Sequence, residues 1–241
     1  MINTQENNNF KIGVRDGIPI GLGYLSVSFA FGIFAVASGL SVWETLLISM
    51  LNLTSAGQLA GVPIIAAGGS LFELGLTQLV INLRYSLMSI SLSQRLGESV
   101  RVRDRFLISF ANTDEVFAVS SGREELLGRR YFLGLIIPPY LGWTLGTLLG
   151  ALAGNILPGV ITSALGIAIY AMFVAIVVPV VRRNAKTALA VFSAILLSCL
   201  FFYTPVLNKI PSGFVIVICA VSVSALFALI CPIDSEGERN E

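Results

Sequence analysis

Histidine is absent from the 241 residues, which removes histidine-dependent metalloprotease and Ser-His chemistry. The sequence also lacks the Gly-Lys-Ser/Thr of a P-loop, so we expect no ATP hydrolysis by that route. A net charge of +1 gives no basic excess for nucleic acid. The cysteines are few, lie in or at the end of apolar segments and lack metal-site spacing, so we interpret Cys199, Cys219 and Cys231 as small hydrophobes. Nothing here calls for a metal or a cofactor.

Charge is also scarce. Charged residues make up 12% of the chain, whereas a soluble globular domain carries about 25%. Apolar residues make up 55%, and mean hydropathy is +0.85. A water-soluble fold of this size would lack the charge to coat its surface. The sequence therefore predicts an all-α integral membrane protein in the cell membrane, with one transmembrane domain over 1–241, polar tails at 1–16 and 232–241, and no removable signal peptide.

Apolar segments long enough for a bilayer recur along the chain, since a crossing helix needs about 20 apolar residues. The segment around 106–120 is shorter and is interrupted by polar residues. Four glycines spaced every four residues predict very close helix contact in one segment: Gly142, Gly146, Gly150 and Gly154. We predict a polytopic helical bundle of about seven or eight segments, at 17–38, 43–67, 71–93, 106–120, 131–154, 159–181, 188–207 and 213–231.

The basic loops raise a problem of parity, because Lys and Arg mark the cytoplasmic side. The N-terminus and loop 94–105 are both basic, yet three full crossings between them would place them on opposite sides. One solution is that 43–67 and 106–120 are broken or re-entrant and enter from opposite faces. The other is that every segment spans and 94–105 violates the rule. We favour an N-terminus inside, and the basic loop 182–187 predicts a cytoplasmic C-terminus.

A weak internal similarity bears on the same question. Residues 34–39 resemble residues 117–122 at an offset of 83. Two three-segment repeats, 10–93 and 94–181, would follow, and an odd number of crossings would make them inverted, as in many transporters. Six small, common residues also match by chance in such a composition, so this inverted repeat is one of two interpretations.

Charge near the middle of segment 71–93 is the most informative feature. Arg84 cannot face lipid cheaply, because a charge at the bilayer centre costs about 2.5–3.5 kcal/mol on insertion scales. Glu73 is about 16 Å away along the helix axis and is too far to pair. We therefore expect Arg84 to pair with Asp114 or Glu115 across helices, beside Thr113. The alternative is a purely architectural ion pair with no role in function.

Amides and hydroxyls inside apolar segments are the candidate binding groups. Gln78 and Asn82 lie on one face of segment 71–93, and amides are costly in lipid. The run from Asn52 through Ser55 to Gln58 combines residues that can open a helix and expose backbone groups to a ligand. A packed small-residue interface is the alternative interpretation for the hydroxyls and glycines.

At these residues the sequence resembles the AzlC (YgaZ-like) family, the large subunits of branched-chain amino acid exporters. Tyr85 stands where many members have His, and Leu-Thr-Ser precedes Ala56 where aromatic-Ala-Gly is common. The most specific run is Thr-Asp-Glu-Val-Phe-Ala. The matching stretches come in the family's order, at Gly17-Ile18-Pro19, Ser28-Phe29-Ala30-Phe31-Gly32, Ser55-Ala56-Gly57-Gln58, Asn82-Leu83-Arg84-Tyr85 and Thr113-Asp114-Glu115-Val116-Phe117-Ala118.

The resemblance implies export of Leu, Ile, Val or analogues together with a small, AzlD-like membrane subunit. We expect Gln58, Asn82 and unwound backbone to hold the ends of the amino acid, and an ion gradient coupled through Asp114 or Glu115 to drive export. The aliphatic side chain of the amino acid would enter a pocket made by Phe29, Phe31, Phe34 and Phe117. Alternatives are a channel or a transporter for another small solute, a membrane-embedded enzyme using the two acids, or a structural partner protein.

Overall fold

The structure, a computed structural model, describes residues 3–154, 156, 174, 177–179, 181–182 and 184–230. Most of the predicted helix 159–181 and all of the tail 232–241 therefore lie outside the described residues. The helices are α1 (Phe10–Ala37), α2 (Val42–Leu51), α3 (Ser55–Ala66), α4 (Leu71–Ser93), α5 (Val102–Phe110), α6 (Asp114–Ser121), α7 (Arg129–Gly154), α8 (Ala185–Tyr203) and α9 (Ser212–Ile230).

The predicted all-α membrane architecture is confirmed. Among the described residues, α1, α7, α8 and α9 are long and apolar enough to cross a bilayer. Helix α4 has the bounds predicted for it and, at 23 residues, is about 35 Å long, although it carries charge. Two short strands, β1 (Asn3–Asn7) and β2 (Glu125–Leu127), pair in parallel beside the bundle.

Helices α1 and α7 run parallel and form the centre of the molecule. Their contacts advance together from Gly13 against Tyr131 to Gly32 against Ala151. A methyl group added at Gly142 or Gly150 would meet a backbone oxygen of α1 far inside contact distance. The predicted close contact of this glycine series is confirmed, and α1 is the partner.

Both predicted irregular segments are broken near their middle. Asn52 ends α2 in an extended conformation, and α3 starts again after Thr54. In the second segment, residues 111–113 separate α5 from α6. The side chains of Thr54 and Thr113 each cap the helix that follows, accepting hydrogen bonds from Gly57 N and Val116 N.

Each broken segment returns to the end of the bundle from which it entered. Leu40, which precedes α2, packs in one cluster with Val62 of α3 and Ala35 of α1. At the other end, Asp104 of α5 pairs with Arg129, and Leu127 exchanges backbone hydrogen bonds with the loop after α4. The two segments are thus re-entrant from opposite ends.

This geometry resolves the parity problem in favour of the first solution. The start of α1, the loop 94–105 and the loop 121–130 all lie at one end, which we call the basic end. Helix α4 runs toward this end and α7 away from it, so α2–α3–α4 and α5–α6–α7 are inverted relative to each other. Equivalent capping residues, Thr54 and Thr113, are 59 positions apart rather than the 83 suggested by sequence.

Two predicted helix boundaries are wrong: the helix predicted at 188–207 ends at Tyr203, and the first helix starts earlier than expected. Helix α1 begins at Phe10, not at 17, so residues 10–16 of the predicted polar tail are helical. Asn9 caps the helix by accepting hydrogen bonds from the backbone N–H groups of Lys11 and Ile12. Polar residues at this point mark a helix that extends beyond the apolar layer rather than a disordered segment.

The C-terminal helices attach to the body through a buried acid. Glu73, at the start of α4, is buried and accepts a hydrogen bond of 2.9 Å from the backbone N–H of Gly213 at the start of α9. A carboxylate at a helix N-terminus is stabilised by the exposed N–H groups and the helix dipole. The start of α9 is therefore fixed at the end opposite the basic end.

We expect Gly150→Ala to lower the thermal unfolding midpoint of the full chain in detergent, because the new methyl group meets the backbone oxygen of Phe29. Overpacking of this kind costs about 1–3 kcal/mol. The control is Gly75→Ala on α4, where no atom lies within 4 Å of the new group. Equal midpoints for the two variants would contradict the close packing of α1 on α7.

Candidate functional site

A cavity of about 640 Å³ lies where the two helix breaks approach each other. Its size falls in the range of about 300–1,000 Å³ typical of small-molecule sites. Helices α1, α4 and α7 supply the rest of the wall, together with Val177. The lining residues from these elements are Pro19, Ile20, Gly23, Tyr24, Val27, Leu53, Ser55, Ala56, Ile81, Arg84, Tyr85, Thr113, Asp114, Glu115 and Trp143.

The N-termini of two half-helices border this cavity. Ser55 and Ala56 belong to the first turn of α3, which contains no acidic residue. Asp114 and Glu115 open α6 on the other side. Helix N-termini carry partial positive charge, which α6 offsets with its own acids and α3 leaves uncompensated. The cavity therefore has an electropositive edge at α3 and an acidic edge at α6.

Arg84 pairs with Asp114 across the cavity. Its Nη1 lies 2.8 Å from Asp114 Oδ2, and its Nη2 donates to the hydroxyl of Tyr85 at 3.2 Å. Both charged side chains are about half exposed to the cavity. The pair neutralises both groups, and because neither is fully buried it loses less hydration than a completely buried ion pair would.

Glu115 has a different environment from its neighbour. It accepts a hydrogen bond from the hydroxyl of Tyr24, a buried side chain that packs edge-on against Trp143 with ring centroids 5.1 Å apart. It has no ion-pair partner within the described part of the chain. One carboxylate of the two is thus balanced by an arginine, and the other depends on a neutral donor.

Three of the predicted binding side chains, Asn52, Gln78 and Asn82, form a hydrogen-bond network beside the cavity rather than in its wall. Gln78 Oε1 accepts from Asn52 and from Asn82, and Gln78 Nε2 donates to the backbone oxygen of Gly57 at 2.7 Å. Asn82 Oδ1 accepts from Thr54. These contacts satisfy the polar groups freed where α2 and α3 separate.

Gln58 is also outside the wall. It is buried, donates to Ser49 Oγ at 2.9 Å and accepts from Trp143 Nε1 at 3.0 Å. Ser49 in turn shares a hydrogen bond of 2.7 Å with Thr147. Gln58 therefore links both halves of the first broken segment to α7 and fixes the indole that lines the cavity.

The expected phenylalanine pocket is wrong for this structure. None of Phe29, Phe31, Phe34 and Phe117 lines the cavity, and Phe31 is buried in a separate core cluster with Ala35. The apolar wall comes instead from aliphatic side chains and from Trp143. Sequence reasoning missed these residues because an apolar residue facing a cavity has the same pattern as one facing lipid.

The basic end of the bundle is closed by a polar cluster below the cavity. Arg123 pairs with Asp16 of α1, and the hydroxyl of Tyr131 donates to the same carboxylate at 2.7 Å. Arg95 donates to the backbone oxygen of Arg123. The hydrogen bond to Asp16 raises the pKa of Arg123, so this guanidinium stays charged. It joins the end of α6 to α1 and α7.

We expect Arg84→Asp alone and Asp114→Arg alone to lower the yield of folded protein, because each leaves two like charges in the cavity. The double variant restores opposite charges and should recover much of the yield. The measurement is monodisperse protein recovered in detergent. A double variant no better than either single one would show that the pair adds nothing to folding beyond its two separate residues.

Comparisons with known proteins show the family to which the chain belongs. The family model described as "AzlC protein" matches residues 19–157, which include both breaks and the α1–α7 core except the start of α1. The chain is 31% identical over 193 residues to the "Inner membrane protein YgaZ" of Escherichia coli (strain K12), covering 77% of this chain and 78% of that protein. It is 34% identical over 184 residues to an "Uncharacterized membrane protein" of Archaeoglobus fulgidus, covering 75% and 80%. No solved structure matches the chain. This chain is a membrane protein of the AzlC family.

Proposed function

We propose that this protein is the large subunit of an exporter of branched-chain amino acids. The observation that carries the proposal is one cavity with an aliphatic wall and two polar edges of opposite character. A branched aliphatic zwitterion has the matching parts: a carboxylate, an ammonium group and an apolar side chain. Membership of the AzlC family is compatible with transport but does not identify the substrate.

The N-terminus of α3 is the edge that suits the carboxylate. Its first turn has no acidic residue, and Ser55 offers a hydroxyl at the wall. Half-helix N-termini hold substrate carboxylates in other transporters with broken helices. The ammonium group would then lie toward Glu115 and the side chain against Ile20, Val27 and Ile81.

The amide network has a supporting role in this proposal. Asn52, Gln78 and Asn82 hold α2 and α3 apart, and Gln58 fixes Trp143, so these side chains position the groups that contact the amino acid. This revises our expectation that the amides bind the substrate directly. Ser55 keeps its proposed contact with the substrate.

We propose that export is coupled to proton movement through Glu115. Arg84 already compensates Asp114, whereas Glu115 faces the cavity with only a tyrosine hydroxyl as partner. An uncompensated carboxylate inside a membrane gains from binding either a proton or a cationic ligand. Competition between a proton and the substrate's ammonium group at Glu115 would link the two movements.

Two further parts of the proposal concern a partner subunit and the orientation of the protein in the membrane. The family resemblance suggests a small AzlD-like membrane subunit, and α8 leaves many apolar side chains exposed that can contact such a partner or lipid. By the positive-inside rule, the basic end faces the cytoplasm. Because α9 starts at the opposite end, the C-terminus would be cytoplasmic as well.

The decisive experiment is counterflow of labelled leucine in proteoliposomes, with and without the small subunit. Ala56→Phe should fill part of the cavity and lower counterflow by about tenfold or more, because a packed cavity does not readily accept added volume. Ala66→Phe is the matched control, since Ala66 is exposed in the last turn of the same helix. Equal rates for both variants would count against the cavity as the substrate site.

The same vesicles separate the main alternative, a channel. A transporter gives saturable flux that an opposing gradient can drive uphill, whereas a channel gives flux that only dissipates gradients. An enzyme using Asp114 and Glu115 would instead form product in detergent, without two compartments. Uphill movement of leucine with no chemical change would favour the exporter over both.

We expect Glu115→Gln to retain leucine counterflow and to lose accumulation driven by a pH gradient. The neutral amide can still contact the substrate and Tyr24, but it cannot release a proton. Asp114→Asn should impair both activities, since it leaves Arg84 uncompensated. If Glu115→Gln accumulated leucine like the parent under the same pH gradient, the coupling would not depend on this carboxylate.

A further inference from the structure

A second cavity, of about 330 Å³, lies at the basic end and is separate from the transport cavity. It is lined by Asn8, Ser99, Arg101, Arg129, Arg130 and Leu133. Three arginines line a space large enough for a small anion. Nothing in the proposed transport of amino acids uses these residues.

The charge in this cavity is only partly neutralised. Arg129 Nε lies 2.9 Å from Asp104 Oδ1, which accounts for one arginine. Arg101 and Arg130 pair with no carboxylate among the residues that the structure describes. Two unpaired guanidinium groups in one cavity leave an excess of positive charge that favours a phosphate-type ligand, which arginine binds through paired hydrogen bonds.

The start of α7 contributes little to this excess. The backbone N–H of Arg129 donates to Ser99 Oγ at 2.9 Å, and that of Arg130 donates to Asn8 Oδ1 at 2.6 Å. These donors are therefore already used within the protein. Binding of an anion would depend on the side chains of Arg101 and Arg130 rather than on the helix end.

An apolar stripe leads from the cavity toward the middle of the bundle. Val102, Phe106 and Phe110 are spaced four residues apart on α5 and are 72%, 75% and 40% exposed. The stripe starts at the residue after Arg101 and spans about 12 Å along the axis. A free phosphate ion would not contact this apolar surface, whereas the acyl chain of a lipid would pack against it.

We propose that this cavity binds the headgroup phosphate of an anionic phospholipid, with an acyl chain along Val102, Phe106 and Phe110. Basic pockets between transmembrane helices on the cytoplasmic side hold such headgroups in other proteins. The lipid would contact both α5 and the first turn of α7. It would thereby hold the second broken segment against the central helix pair.

The test uses the full chain carrying Trp43→Phe and Phe106→Trp, reconstituted in vesicles of brominated phosphatidylglycerol or brominated phosphatidylcholine, because Trp43 is itself exposed. Fluorescence quenching beyond that of the Trp43→Phe variant alone gives the relative binding of the two lipids at the stripe. We expect phosphatidylglycerol to be preferred, and each of Arg101→Gln and Arg130→Gln to lower the preference by about fivefold. Raised salt should lower it as well, because screening weakens charge attraction.

The matched control is Arg103→Gln. Arg103 is an exposed arginine of α5, the helix that carries the apolar stripe, and it does not line the cavity. This substitution should leave the lipid preference unchanged. Equal quenching by the two lipids in the parent protein, or an equal loss with Arg103→Gln, would overturn the proposal. A reporter that fails to fold is replaced by native mass spectrometry of the unmodified chain with the same lipids.

Two further arms separate other occupants. If inorganic phosphate in phosphatidylcholine vesicles raises the unfolding midpoint as much as phosphatidylglycerol does, the site is one for a free anion. If the lipid preference appears only after residues 232–241 are removed, the acidic C-terminal segment is the occupant. Either result overturns the lipid proposal without affecting leucine counterflow, so it is distinct from failure of the transport proposal.

Discussion

Backbone groups inside a membrane must find hydrogen-bond partners within the protein, and the arrangement of this molecule depends on that requirement. Both broken segments interrupt the backbone hydrogen bonds of a helix at mid-depth, and side chains bond to the backbone beside each break. Threonine caps restart the helices, while amides of α4 hold the first break. The polar interior is thus required by the broken helices first, and only then becomes available for a ligand.

This requirement explains why the sequence predicted the breaks well and the binding residues poorly. A run such as Asn52 to Ser55 in an apolar segment indicates an interruption whatever lies next to it. The same polarity cannot tell whether an amide faces a substrate or a freed backbone group. Gln78 bonds the backbone oxygen of Gly57, and Asn82 bonds the side chains of Thr54 and Gln78; the sequence has no feature that separates these roles from substrate binding.

Charge was a better guide because its cost in lipid leaves few solutions. Arg84 needed a carboxylate, and the sequence offered only two inside an apolar segment, of which Asp114 is the partner. The apolar wall of the cavity could not be predicted from the sequence, since Ile20 or Val27 could equally face lipid, a helix or a cavity. The correct register of the inverted repeat could not be predicted either. Helices α2–α3–α4 correspond to α5–α6–α7 in the positions of their helix caps and in chain direction, not in similar side chains.

The parallel contact of α1 with α7 leaves no room for either helix to slide. Glycine lies against backbone along almost the whole interface, so a shift of one residue would bring main-chain atoms into collision. Among the described residues, the re-entrant hairpins make no such run of glycine-to-backbone contacts; side-chain hydrogen bonds and buried residues such as Val62 and Val116 attach them. Under the proposed transport function, the central pair would stay fixed while the two hairpins move in turn, one on each side of the membrane.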